Sequence, residues 1–170
     1  MYSPYSFLKL RKTTVLHLVL FCLCLFPLSD ISAQDNYFQQ QVDYTITVQL
    51  NDKDHSLKAE EIIEYSNQSD STLRFIWMHL WPNAYKNRNT ALCRQLLQQN
   101  KSSLYFSDSG ERGYIDSLDF KVNGQTVKWE YHPQHIDICK IQLPAPLQPG
   151  EKIRLSTPFY VKIPSARFSR

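Results

Sequence analysis

The sequence predicts an all-β fold: an antiparallel β-sandwich or saddle of about seven or eight strands with one short helix. Three observations carry that expectation. Apolar and polar residues alternate in run after run. Turn-forming residues recur roughly every eight to twelve positions. Helical spacing is confined to one segment near residues 90–99. A chain of 170 residues with 42% hydrophobic and 13% aromatic content is long enough to bury a real core as one domain.

The N-terminus reads as a targeting segment. Lys9, Arg11 and Lys12 form a basic stretch, Val15 to Leu28 is apolar, and Ile31-Ser32-Ala33 offers a small residue at a signal-peptidase cut. The apolar run is about 14 residues, short of the roughly 20 that span a bilayer. Cleavage after Ala33 is the expectation and a retained signal anchor the alternative; either exports the protein, to the periplasm or outside the cell. Cys22 and Cys24 lie within the apolar run, outside any lipoprotein pattern. The expected organisation is a signal peptide over 1–33, a polar leader over 34–41, the β-domain over 42–164, and over 165–170 the start of a continuation.

Val42, Tyr44, Ile46, Val48 and Leu50 alternate with Asp43, Thr45, Thr47 and Gln49, the pattern of a half-buried strand. Asn51 to His55 is turn chemistry, and Leu57 to Tyr65 returns as a second strand. After the polar turn at Asn67 to Ser71, a third strand spans Leu73 to Trp81. Trp77, His79 and Trp81 share one of its faces and Met78 and Leu80 the other, so both faces read as buried. Pro82 and Asn83 stop the run. Thr90 is a candidate N-cap for a helix through about Gln99. Lys101 to Gly113 is a polar loop. Ile115 to Val122 and Gln125 to Tyr131 flank Asn123-Gly124, a strong hairpin signal because a type I′ turn needs positive φ at both positions. Ile136 to Leu143 is a further strand, and Pro144 to Gly150 a rigid connection. Ile153 to Leu155 and Phe159 to Ile163 close the chain as one strand, interrupted or edged by Pro158.

Charge and composition exclude several functions. The net charge is +3, and loss of Lys9, Arg11, Lys12 and Asp30 with the signal leaves the rest nearly neutral, with no electrostatic case for nucleic acid. There is no Gly-x-Ser-x-Gly elbow and no glycine-rich phosphate loop. His132 and His135 stand three apart, but Pro133 argues for a solvated loop and no third zinc ligand is near. His79 reads as a histidine hydrogen-bonded in an aromatic core rather than as a ligand or base. Glu60 and Glu64 share a face and read as a solvated edge, not an acid pair. Cys93 and Cys139 are either two separate buried thiols or a disulfide, which export permits. Most aromatics are expected between the sheets; the alternative is exposed tryptophan and tyrosine that stack on sugars or contact protein. No catalytic, cofactor-binding or metal residue is assigned.

Phe75 to Tyr85, Thr90-Ala91-Leu92, Gly113 to Phe120, Leu143 to Glu151 and Phe159 to Pro164 together resemble the N-terminal β-domain of exported bacterial aminopeptidase-N-like zinc metallopeptidases, the gluzincin family. The resemblance runs from about Tyr37 to Pro164. It implies a saddle of β-sheet that packs on a thermolysin-like catalytic domain and forms one wall of the substrate cavity. The family's zinc is held by a His-Glu-x-x-His helix and a later glutamate, beside a Gly-x-Met-x-Asn-like strand. This sequence contains none of these, so zinc and the peptide substrate are expected only with a catalytic domain of the same polypeptide. The chain alone is expected to be inactive. The rival expectation is a free-standing secreted β-sandwich that binds carbohydrate or protein.

Overall fold

The structure, a computed structural model, describes residues 39–168. The expected signal peptide and most of the leader lie outside the described residues. Among these residues the strands are β1 (Gln41–Asn51), β2 (Ser56–Ser66), β3 (Leu73–His79), β4 (Tyr114–Asp116), β5 (Lys121–Val122), β6 (Gln125–Thr126), β7 (Trp129–Tyr131), β8 (Ile138–Leu147) and β9 (Lys152–Lys162), with a single α-helix, α1 (Ala91–Gln98), and three short 3-10 turns. They form two antiparallel sheets, an all-β sandwich. The larger, six-stranded sheet has the order β1-β2-β9-β5-β6, with β4 also on β9; the smaller has the order β3-β8-β7. No described helix is long and apolar enough to cross a membrane.

β1 and β2 pair without a break from Gln41 opposite Ser66 to Asn51 opposite Ser56. Their turn is held by Asn51, whose Oδ1 accepts the backbone N–H of Lys53 and of Asp54, each at 3.2 Å. β9 then pairs with the whole of β2. The break expected at Pro158 does not occur. Pro158 sits between Ser156, where β5 ends its pairing, and Tyr160, where β4 begins. No ladder donor is needed on that flank, which is why a proline is tolerated in a central strand. In the gap, the Asp119 N–H donates to Thr157 Oγ1 at 2.9 Å.

Three other boundaries differ from expectation. Ile115 to Val122 is two short strands, because Ser117 takes φ 60 and the chain dips inward to bury Phe120. Gln125 to Tyr131 is divided between the sheets: β6 stays in the larger one and β7 joins the smaller. Pro144 and Pro146 belong to β8 rather than to a connection. They lie where the β3–β8 register shifts between Leu73 and Phe75, and a bulge removes the need for regular donors. The Asn123-Gly124 turn is as expected, with φ 50 and 84.

The main core gathers Ile63, Leu80, Phe120, Val122, Cys139, Ile141 and Leu155, each no more than 3% exposed. Phe120 meets Trp129 edge to face at 5.5 Å. Burying such a ring contributes about 1.5–3 kcal/mol. A second, smaller cluster lies under α1, where Cys93, Leu104 and Phe168 meet. Thr90 caps that helix: its Oγ1 accepts from the Cys93 N–H at 3.2 Å and donates to the Ala84 carbonyl at 2.7 Å. Cys93 and Cys139 are free thiols, one in each cluster, so the separate-thiol reading is the one observed.

Two fully buried asparagines tie loops to the sheets. Asn67 donates to the carbonyls of Ser71 and Leu147, at 2.8 and 3.1 Å, and accepts from the Ser69 hydroxyl at 2.6 Å. Asn83, just past β3, donates to the Ile136 carbonyl and accepts from the Ile115 N–H, both at 3.1 Å. Each replaces water lost on burial with matched partners.

Candidate functional site

The cross-strand register lays residues of the larger sheet out in rows that share a face. Tyr44, Ile63, Leu155 and Val122 form one row across β1, β2, β9 and β5. Leu50, Leu57, Val161 and Ile115 form another. At the β9–β5 end these side chains are buried under the smaller sheet: Leu155 and Val122 are 1% exposed. At the β1 end no described residue covers them. Tyr44 and Leu50 are 61% exposed, Ile46 and Val48 49%. The expectation that β1 is half-buried therefore fails on its apolar side, although the strand itself is where the alternation placed it.

The smaller sheet stops at β3, whose outer edge has no partner strand among the described residues. Between that edge and the bare β1–β2 face runs a groove of about 400 Å³. Tyr44, Ile63 and Tyr65 contribute its floor, Ile76 and Met78 its inner wall, and Trp77, His79 and Trp81 its rim. Glu61 is the one carboxylate in this lining. It faces inward in the row of Ile46 and Thr157, and burial pushes its pKa up from the ordinary 4.5. No described cation pairs with it; the ion pairs among the described residues are Lys121–Asp119 and Arg167–Glu111. Burial also raises the Tyr65 hydroxyl. Glu60 and Glu64 point to the opposite face and are exposed, as expected.

The tryptophan face of β3 is a correction. Trp77 is 46% and Trp81 67% exposed, where both faces of the run had read as buried. Alternation reported the face correctly; it could not report that no described residue forms a layer beyond the smaller sheet. Trp81 leaves the strand altogether for a short 3-10 turn, Trp81–Tyr85. His79 is exposed and stacks flat on Trp81 at 4.6 Å, rather than lying in an aromatic core. Further along the same surface, Phe75 meets Trp77, Trp77 meets His132 at 5.4 Å, and His132 meets His135 at 4.9 Å. Lys140 lies over the Phe75 ring at 4.4 Å, a cation–π contact that already occupies one face of the strip.

Among the described residues no group of three or more histidine, cysteine or acidic side chains is placed to hold a metal. His132 and His135 come together but acquire no third ligand, and His132 Nδ1 accepts from the Gln134 N–H at 3.2 Å. Zinc that activates water needs three protein ligands and a base beside it, and the residues present do not fit that group. The feature that sequence reasoning missed is the groove itself, with Glu61 in it. Its signal was present: Glu61 broke the apolar phase of β2.

No protein-family model matches the chain, and no curated protein matches it. Among solved structures, it is similar to a mutant two-domain M1 zinc metallopeptidase bound to L-arginine, at 17% identity and a TM-score of 0.43. The M1 zinc metallopeptidase from Deinococcus radiodurans gives the same two values. A mutant of that enzyme bound to a Tyr-Ser-Ala substrate has a TM-score of 0.41. Each alignment covers 71% of this chain and 20% of the other, so the chain spans about a fifth of those proteins' length.

Proposed function

We propose that this chain is the non-catalytic N-terminal β-domain of an exported zinc metallopeptidase of the aminopeptidase-N type. Its role is to support a catalytic domain and form one wall of the substrate cavity. One structural observation carries the reading: a long apolar sheet face, continuous with the core, that the described residues leave bare at Tyr44, Ile46, Val48 and Leu50. A face of this kind marks a docking surface. The order of segments from Phe75 to Pro164 supports the assignment to this family. The chemistry of zinc and peptide belongs to the catalytic domain, and no described residue of this chain takes part in it.

The test is to read the coding DNA past the codon for Arg170. A frame that continues into a His-Glu-x-x-His segment and a later glutamate is the expected result. A stop codon there removes the metallopeptidase role.

The second reading is a secreted binding module for carbohydrate or protein, favoured by the open outer face of the His79–Trp81 stack. It expects tryptophan emission to shift saturably when oligosaccharides are added. The Lys140–Phe75 contact counts against sugar stacking at the other end of the strip.

A further inference from the structure

We infer that the groove between β3 and the bare β1–β2 face accepts an extended peptide strand with alternating apolar side chains and one basic side chain opposite Glu61. The inference applies to the chain with its β1 face uncovered, because a catalytic domain docked on that face would also meet Tyr44.

Three features meet in this groove. The first is backbone. β3 ends the smaller sheet, so its outer N–H and C=O groups are open to a fourth strand, and strand addition is the ordinary way such an edge is used. The second is the floor. A strand laid against β3 extends the smaller sheet over the part of the larger sheet that it fails to cover. Sheets in a sandwich pack face to face at about 10 Å, and Met78 on β3 already packs on the core cluster that holds Ile63 and Leu155. The next strand's inward residues therefore fall on Val42, Tyr44 and Tyr65, which line the groove from β1 and β2. Every second residue of the occupant is apolar for the same reason that every second residue of β1 is.

The third feature is charge. Glu61 is the one carboxylate lining the groove, it is half-buried, and it has no described cation beside it. Covering the floor with a wholly apolar strand would leave this carboxylate desolvated and unpaired, which is costly. A lysine or arginine at the facing position gives it a charge-assisted hydrogen bond while the side-chain stem packs on the tyrosine rings. The single acidic group thus fixes both register and sign: a basic occupant is accepted and an acidic one rejected.

The test uses the full chain and two capped peptides, Thr-Ile-Thr-Lys-Thr-Ile-Thr and the same sequence with glutamate at the centre. Trp77 and Trp81 line the groove, so their emission reports occupancy. The expected result is saturable binding of the lysine peptide, at least about tenfold tighter than the glutamate peptide. In an E61Q chain that preference falls to within about threefold, with the fold checked by circular dichroism. A lysine peptide with proline at one isoleucine and at the threonine beside it, which loses a ladder donor on each flank, is expected not to bind.

Any of four results overturns the inference. Neither peptide binds; both bind equally; the preference survives in E61Q; or the proline peptide binds as well as its parent. Sedimentation run alongside settles the rival occupant. Self-association that keeps the lysine peptide from binding gives the groove to a second copy of the chain.

Discussion

The two ends of the larger sheet carry the same pattern and meet different fates. On β9 and β5, inward Leu155 and Val122 are almost wholly buried; on β1, inward Tyr44 and Ile46 stand in solvent although they belong to the same face. Alternation states which face of a strand is apolar. It does not state what covers that face. At the β9 end the cover is the smaller sheet of this chain, and at the β1 end no described residue supplies one.

The largest expected contrast is chemical. Burial pushes the Cys139 thiol from an ordinary 9.0 up to about 11. At pH 8 the native thiolate is then roughly a hundredfold scarcer than in the unfolded chain. Thiol-labelling rates with and without denaturant measure this. Fast labelling of native Cys139 would mean that the covered end is not closed.

Next is packing. Phe120→Ala is expected to cost about 3–5 kcal/mol in urea unfolding, because it empties a site between the sheets. Gly113→Ala should cost about 1–3 kcal/mol. Its new Cβ would lie 2.7 Å from Pro164 Cδ and 3.0 Å from the Lys162 carbonyl oxygen. On the bare end, Ile46→Ser should stay within about 0.5 kcal/mol and improve solubility. A loss as large as that of Phe120→Ala would show that β1 is covered after all.

The smallest effect is expected at Glu61. Its folded pKa is raised, so the folded state holds more protons than the unfolded state between 4.5 and the raised value. Stability contributed by the protonated form is present below 4.5 and is lost as pH rises through the raised value. Glu61→Gln should therefore raise the melting temperature slightly at neutral pH. The difference from the parent should shrink as the pH drops below the ordinary carboxylate range. A lower melting temperature at pH 7 would indicate a cationic partner for Glu61.

Local chemistry was legible in the sequence wherever it suffices. The Asn123-Gly124 turn, the Thr90 cap and the long β1–β2 hairpin follow from residue type and spacing. What the sequence withheld depends on partners distant in the chain. Pro158 is harmless only because β5 gives way to β4 beside it. Pro144 and Pro146 remain in a strand only because β8 itself bulges there, between its pairings with Phe75 and Leu73. Gln125 to Tyr131 looks like one strand, and nothing local marks the point where it changes sheets. Glu61 as part of a groove became visible only when the β1, β2 and β3 segments were placed together.

The pairing of β2 with β9 also has a consequence in time. Lys152 is the first residue of β9 to find its place, opposite Ser66. A ribosome adding about 5–20 residues per second spends on the order of 5–20 s on the roughly 90 residues between them. Throughout that interval the β1–β2 hairpin has two open edges, and its apolar face lacks even the cover that the finished sandwich provides. Wrong pairing with neighbouring chains is thus a hazard of synthesis more than of the completed fold. A chaperone that shields this hairpin would act before β9 is made and have little left to hold afterwards.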